Sequence, residues 1–146
     1  MKNCRQTTGN YPGVTVEKHV GTVELESGAA NLVDLPGIYC LGGNSTDEQI
    51  AVDVLLGRIA GSERPEGLLV VVDSTHLYQG LYLLEQLLEL QLPTMVAMTM
   101  IDAATANGIS IDVGALQHAL GGVPVFPVNS ISGHGLDDLK KGLESI

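Results

Sequence analysis

Apolar residues fall in two spacings along this chain, and each spacing predicts a different element. Short runs rich in β-branched types, Leu32 to Leu35, Leu68 to Val72, Met95 to Met98 and Val123 to Val128, are too short for helices and predict buried strands. Between them apolar positions recur with helical period over Asp47 to Ile59, Leu77 to Leu90, Val113 to Leu120 and Leu136 to Ile146. Boundary residues support these helices: Ser45 with Glu48 makes a capping box, Asp112 precedes the third helix and Gly121-Gly122 ends it. Nearer the N-terminus, Val14, Val16 and Val20 share one alternation while Val23 and Leu25 fall in the other, with Gly21 between. That predicts a strand from about Thr15 to Leu25, bulged at Gly21, turning through Glu26-Ser27-Gly28 into a strand that ends at Asp34. Strands alternating with helices predict an α/β fold, a mostly parallel sheet with helices on both faces and an antiparallel pair attached. No repeat, linker or low-complexity tract interrupts the pattern, so residues 1–146 read as a single domain.

Composition narrows the classes of function. At 146 residues, 45% of them hydrophobic, the chain is long enough for a core without disulfide or metal staples. Seventeen acidic side chains against seven basic give a net charge of −10. Lys2, Arg5, Lys18, Arg58, Arg64, Lys140 and Lys141 are scattered rather than gathered on a face, which argues against nucleic acid. The longest apolar run, Leu68 to Val72, stops at Asp73, far short of the roughly 18 to 20 residues a membrane span needs. The first ten residues are polar and carry no signal-peptide core, so a cytoplasmic location is expected. Cys4 and Cys40 are too few for a disulfide framework and read as free thiols; His19, His76, His118 and His134 include no i, i+4 pair that would suggest a metal site. Eighteen glycines and six prolines point to functional loops.

In open α/β sheets ligands bind beyond the carboxyl ends of the strands. The residues there are Asp34-Leu35-Pro36-Gly37, Asp73-Ser74-Thr75, Thr99-Met100-Ile101-Asp102 and Asn129-Ser130-Ile131-Ser132, with a glycine-rich segment, Gly9 to Thr15, ahead of the first strand. Asp73 with Ser74 and Thr75 reads as a helix cap, and Gly133 and Gly135 as a tight turn into the last helix.

The order GNYPGVTVEK, DLPGIY, SxDEQ, VVVDSTHLYQGLYLLEQLLEL, MxxID and ISGHGLDDL resembles the G domain of ferrous iron transport protein B, the Ras-like GTPase head of a bacterial ferrous iron transporter. The resemblance runs from Gly9 nearly to the end of the chain. It implies a Ras-like G domain binding GTP and GDP with Mg²⁺, and with potassium as a further cofactor. Thr15, with Val14 beside it, would be the switch threonine on Mg²⁺. Asp34 would hold the Mg²⁺ through water, and the Gly37 N–H would reach the γ-phosphate. Carbonyl groups around Gly9 and Tyr11 would serve potassium. Asp102, in the loop with Thr99 and Met100, would accept from guanine N1 and N2, and Ser130 and Ile131 would meet the guanine carbonyl. The implied partner is the membrane part of an iron transporter, which would place the domain at the inner face of the membrane.

Two departures qualify the resemblance. A phosphate loop of the form GxxxxGK[ST] needs a Gly-Lys pair, and none of the four lysines follows a glycine. The strand, loop and helix that precede the switch in the family are represented here only by MKNCRQTT, so the fold is expected to lack its first β-loop-α unit. In the family's sheet order that strand lies between those ending at Asp34 and Asp73. Three outcomes are open: the flanking strands close up, a second copy completes the sheet, or further sequence upstream does. The second departure is Thr99, where the family has the asparagine of its NxxD guanine motif; threonine has no carboxamide to reach the base. GTPase activity therefore competes with a nucleotide-free pseudo-GTPase interaction module, possible as a dimer.

Overall fold

The computed structural model describes residues 5–42 and 45–146. They divide into two compact units, residues 1–65 and 66–146.

The first unit is an antiparallel sheet of three strands in chain order, β1 (Arg5–Asn10), β2 (Glu17–Leu25) and β3 (Gly28–Asp34), followed by α1 (Thr46–Leu55). β2 and β3 meet across the expected short turn, with Leu25 opposite Gly28 and Gly28 at φ +136°. Their register then runs unbroken to His19 opposite Asp34, so the bulge expected at Gly21 is absent. The change of alternation there has another cause. β2 is the middle strand, partly covered along most of its length on both faces, and so has no need of a single apolar face. β1 was not expected: Arg5 to Asn10 carries no apolar alternation and is held by main-chain pairing to β2, from Arg5 opposite Thr22 to Asn10 opposite Glu17. The core of this unit is Tyr11, Ile50 and Val54, with Val14, Val16, Leu35 and Ile59 packed around them. α1 starts at the Ser45 and Glu48 capping box and ends earlier than its apolar pattern, because Gly57 turns left-handed at φ +67°.

The second unit is the parallel sheet, β4 (Leu68–Asp73), β5 (Thr94–Thr99) and β6 (Val125–Pro127), with β5 in the centre. Met95 to Met98 are all buried, as a strand covered on both faces requires. Side chains alternate across the sheet. Met95 and Ala97 pack with Leu69 under α5 (Leu136–Leu143), through Leu136, Leu139 and Leu143. Val72, on the opposite face, meets α2 (Leu77–Leu88) so closely that a Cβ on Gly80 would overlap its Cγ1. Helices therefore cover both faces, as expected. Two short helices complete the unit: α3 (Ile101–Ala106), too short to show a period in sequence, and α4 (Val113–Ala119), capped by Asp112 and closed by Gly121 at φ +71°.

Two expectations about the sheet are corrected. Instead of one sheet with an antiparallel pair attached, the described strands form two hydrogen-bonded sheets, β1-β2-β3 and β4-β5-β6. Nor does the pairing of β3 with β4, one of the three expected outcomes, occur. Among the described residues β3 pairs only with β2 and β4 only with β5.

Gly133 and Gly135 separate two costs of the turn before α5. Both have positive φ, +79° and +75°, but a Cβ on Gly133 meets nothing while one on Gly135 would run into the Pro127 carbonyl. In urea denaturation, Gly133→Ala is expected to cost about 1 kcal/mol and Gly135→Ala at least about 2 kcal/mol.

Candidate functional site

The parallel register brings three loops to one edge of the second unit. Asp73 stands beside Thr99, and Met98 beside Pro127, so β4, β5 and β6 end nearly level and release their loops together. This is the carboxyl edge, where α/β sheets bind ligands. Asp73 and Thr99 end their strands at this edge, Met100 and Ser130 with Ile131 lie in the segments that follow, and Asp102 falls in the first turn of α3.

Each loop is fixed by its own hydrogen bonds. After β4, the Asp73 carboxylate accepts from the Thr75 backbone N–H at 2.8 Å and from its hydroxyl at 2.6 Å, capping a single 3-10 turn over Ser74–His76. The cap reading of Asp73 is thus the one the geometry supports. These two bonds, aided by His76 at 3.5 Å, hold the Asp73 carboxyl below the usual aspartate range. After β5, the Thr99 hydroxyl donates to the Val72 carbonyl at 3.3 Å, tying β5 to β4. Met100 follows in the left-handed region at φ +58°, half exposed, and starts α3, with Asp102 exposed in its first turn. After β6, Asn129 organises a ring. Its side-chain oxygen accepts from the Ile131 and Ser132 amides at 3.0 Å each, its N–H donates to the His134 carbonyl at 3.0 Å, and its carbonyl accepts from Gly133 at 2.9 Å. Ser130 and Ile131 are left at the tip, Ile131 98% exposed.

Asn129, named in the sequence at its strand end but given no role there, is the residue that organises this loop. Its signal was present: an asparagine at a strand end can accept from amides two and three residues on. The number of amides it takes up is legible only in the folded loop.

The remaining candidates lie in the first unit. Gly9 is in β1 opposite Lys18. Tyr11 is 1% exposed: its N–H donates to the Val16 carbonyl at 3.0 Å and its carbonyl accepts from Val14 at 3.2 Å, closing the turn with Gly13 at φ +79°. Its hydroxyl is buried without a hydrogen-bond partner, and the Lys18 ammonium sits 5.7 Å from its ring centre. Burial, with the negative charge of Asp34 as a lesser cause, pushes the phenol pKa up. Val14 is half-buried and Thr15 exposed in the bend before β2, not yet in the strand. Asp34 ends β3 opposite His19, and Gly37 lies exposed three residues on.

As donors, a threonine hydroxyl and an aspartate carboxylate suit a hard cation such as Mg²⁺, which takes few protein ligands and fills its shell with water and phosphate oxygens. Among the described residues no cluster of three or more His, Cys, Asp or Glu side chains could hold a metal by itself. Cys40 is a free thiol, and Cys4 lies outside the described residues. Among the described residues no helix is long and apolar enough to cross a membrane.

A parallel sheet flanked by helices, with its loops gathered at the carboxyl edge, is an arrangement shared with G domains, and solved structures of G domains match it. The G domain of the T. maritima FeoB iron transporter superposes with a TM-score of 0.84 at 41% identity, over 96% of this chain and 82% of that one. The cytosolic domain of the same transporter in GMPPNP form gives 0.86 at 42% identity, over 97% of this chain and 54% of that one. The family model described as ferrous iron transport protein B matches residues 1–143, and the chain belongs to that family. A curated relative, the Fe(2+) transporter FeoB of Leptospira biflexa, is 41% identical over 96% of this chain. That alignment covers 20% of the relative, so the chain spans about a fifth of its length.

The Asp73 cap carries a prediction with a definite sign. A carboxylate whose folded pKa lies below its unfolded value, about 3.9, adds stability that is fully present above that value and lost as the pH falls through the folded pKa. Carboxyl-carbon NMR titration is expected to place the Asp73 midpoint below the ordinary aspartate value. In Thr75→Val, which keeps the amide bond and removes the hydroxyl bond, the midpoint is expected to move upward.

Proposed function

We propose that this chain supplies the base-reading and switch loops of the G domain of a ferrous iron transporter, acting on the cytosolic side of the membrane with guanine nucleotide as its ligand. The observation that carries this reading is the convergence of the Thr99 to Asp102 loop and the Ser130 to Ile131 loop at one sheet edge, in a chain whose relatives include one solved in GMPPNP form. Asp102 accepts hydrogen bonds from the guanine N1–H and N2–H groups as a charge-assisted pair, worth about 1.5 to 3 kcal/mol. Ser130 and Ile131 present their loop to the base carbonyl, and Met100 flanks the base. Thr99 holds the floor of the site through Val72 without touching the base.

In the first unit Thr15 and Asp34 supply the hydroxyl and carboxylate for Mg²⁺, Val14 lies beside them, and the Gly37 amide serves the terminal phosphate. Carbonyl groups at Gly9 and Tyr11 serve potassium. Residues 1–146 act as one G-like domain, and the unpaired sides of β3 and β4 accept strands from a second copy or from further sequence. The membrane part of the transporter is the partner.

Phosphate binding sets the strength. GTP brings about four negative charges to a chain of net charge −10 that contains no Gly-Lys pair. The base loops alone then give weak binding and no productive hydrolysis, which depends on positioned phosphates. That same observation favours a second reading, a nucleotide-free interaction module.

Titration of the ¹⁵N-labelled chain with GDP and with ADP separates the two. Millimolar, guanine-selective shifts at the Asp102, Ser130 and Ile131 amides, lost in Asp102→Ala, are expected. No shift with either nucleotide leaves the interaction module, and micromolar binding by these residues alone contradicts the phosphate argument.

A further inference from the structure

α2 is amphipathic with an unusual outer face. Its inner face is closed by Leu84, Leu87 and the contact of Gly80 with Val72. On the opposite side Tyr78 is 88% and Tyr82 53% exposed, and Glu85 and the C-cap residue Glu89 are exposed too. Spacings of four, three and four residues put these side chains in one stripe. Two tyrosines standing in water one turn apart are the kind of anchor found at protein interfaces, where the ring is covered and the hydroxyl stays hydrogen-bonded.

The charges say what would cover them. Both glutamates lie toward the C-terminus of α2, where the helix dipole is negative and cations are favoured. The last turn holds no basic residue, and there is no Lys or Arg between Leu77 and Leu90. Among the described residues neither Glu85 nor Glu89 makes an ion pair. An incoming cation would satisfy both carboxylates and the dipole at once, and a guanidinium would also stack on a tyrosine face.

We propose that this stripe docks an arginine-bearing amphipathic helix of a partner protein. A second copy of this chain suits it poorly. Net charge −10 opposes self-association, and the one adjacent basic pair, Lys140 and Lys141, is separated from Asp137 and Asp138 only by Leu139, with Lys141 already 3.7 Å from Asp138. Four side chains are well short of the roughly 1,200 Å² that specific stable complexes bury, so the interaction is micromolar and salt-sensitive. It does not depend on nucleotide.

The probe is a labelled, alanine-based helical peptide of about 18 residues with arginines spaced i, i+4 on one face, followed by fluorescence anisotropy with the full chain. Saturable binding is expected, weakened at least about tenfold by Tyr78→Ala with Tyr82→Ala, and likewise by Glu85→Gln with Glu89→Gln, with circular dichroism and melting unchanged. No binding overturns the proposal. So does binding that both double variants retain, which would report only the acidity of the whole chain. Sedimentation of the chain alone showing a dimer that the tyrosine variants dissolve would assign the face to a second copy instead.

Discussion

Parallel pairing of β5 with both β4 and β6 leaves three strands ending almost level, and the candidate site depends on that ladder before any side chain is considered. Asp73 falls beside Thr99 and Met98 beside Pro127. The loops that follow are then fixed one by one, by the Asp73 carboxylate, by the Thr99 hydroxyl on Val72, and by the Asn129 side chain. Burial of Met95 to Met98 on both faces resists any shift of β5 along its neighbours, since a shift of one residue would exchange its faces. Local hydrogen bonds can afterwards set loop conformation at the scale of a single base.

The phosphate side is governed by charge. A nucleotide-binding protein normally gains most at the phosphates, where loop amides and a lysine gather against the anion. Here the loops that would serve Mg²⁺ and the terminal phosphate, around Thr15 and Asp34, are present without a Gly-Lys pair. Base recognition and phosphate binding are physically separable, and the proposed function assigns these residues the first with only part of the second. The Tyr11 ring, buried against Ile50 and Val54, anchors the glycine-rich segment to its own unit's core, which keeps that segment folded on protein contacts alone.

Much of this was legible in the chain. The Ser45 and Glu48 box, the Asp112 cap, the turn from Leu25 to Gly28 and the runs of β4 and β5 follow from local chemistry, and each appears where it was expected. The G-domain family was legible from motif order. The rest depends on contacts between distant residues. β1, with the sequence RQTTGN, has no apolar alternation to mark it, and α3, at six residues, is shorter than two turns. The change of alternation at Gly21 suggested a bulge, but a middle strand covered on both sides gives the same pattern without one. The Thr99 to Val72 bond joins residues 27 apart, and no spacing rule connects them.

The central claim is that these residues recognise the base but do not grip the phosphates, and a ligand series of guanosine, GDP and GTP measured on the same chain with Mg²⁺ tests it most directly. The account predicts a flat series: dissociation constants in the millimolar range that change by less than about tenfold, or 1.4 kcal/mol, from nucleoside to triphosphate. Affinity that rises by several orders of magnitude as phosphates are added would contradict it, and would mean that other residues of this chain form a phosphate site.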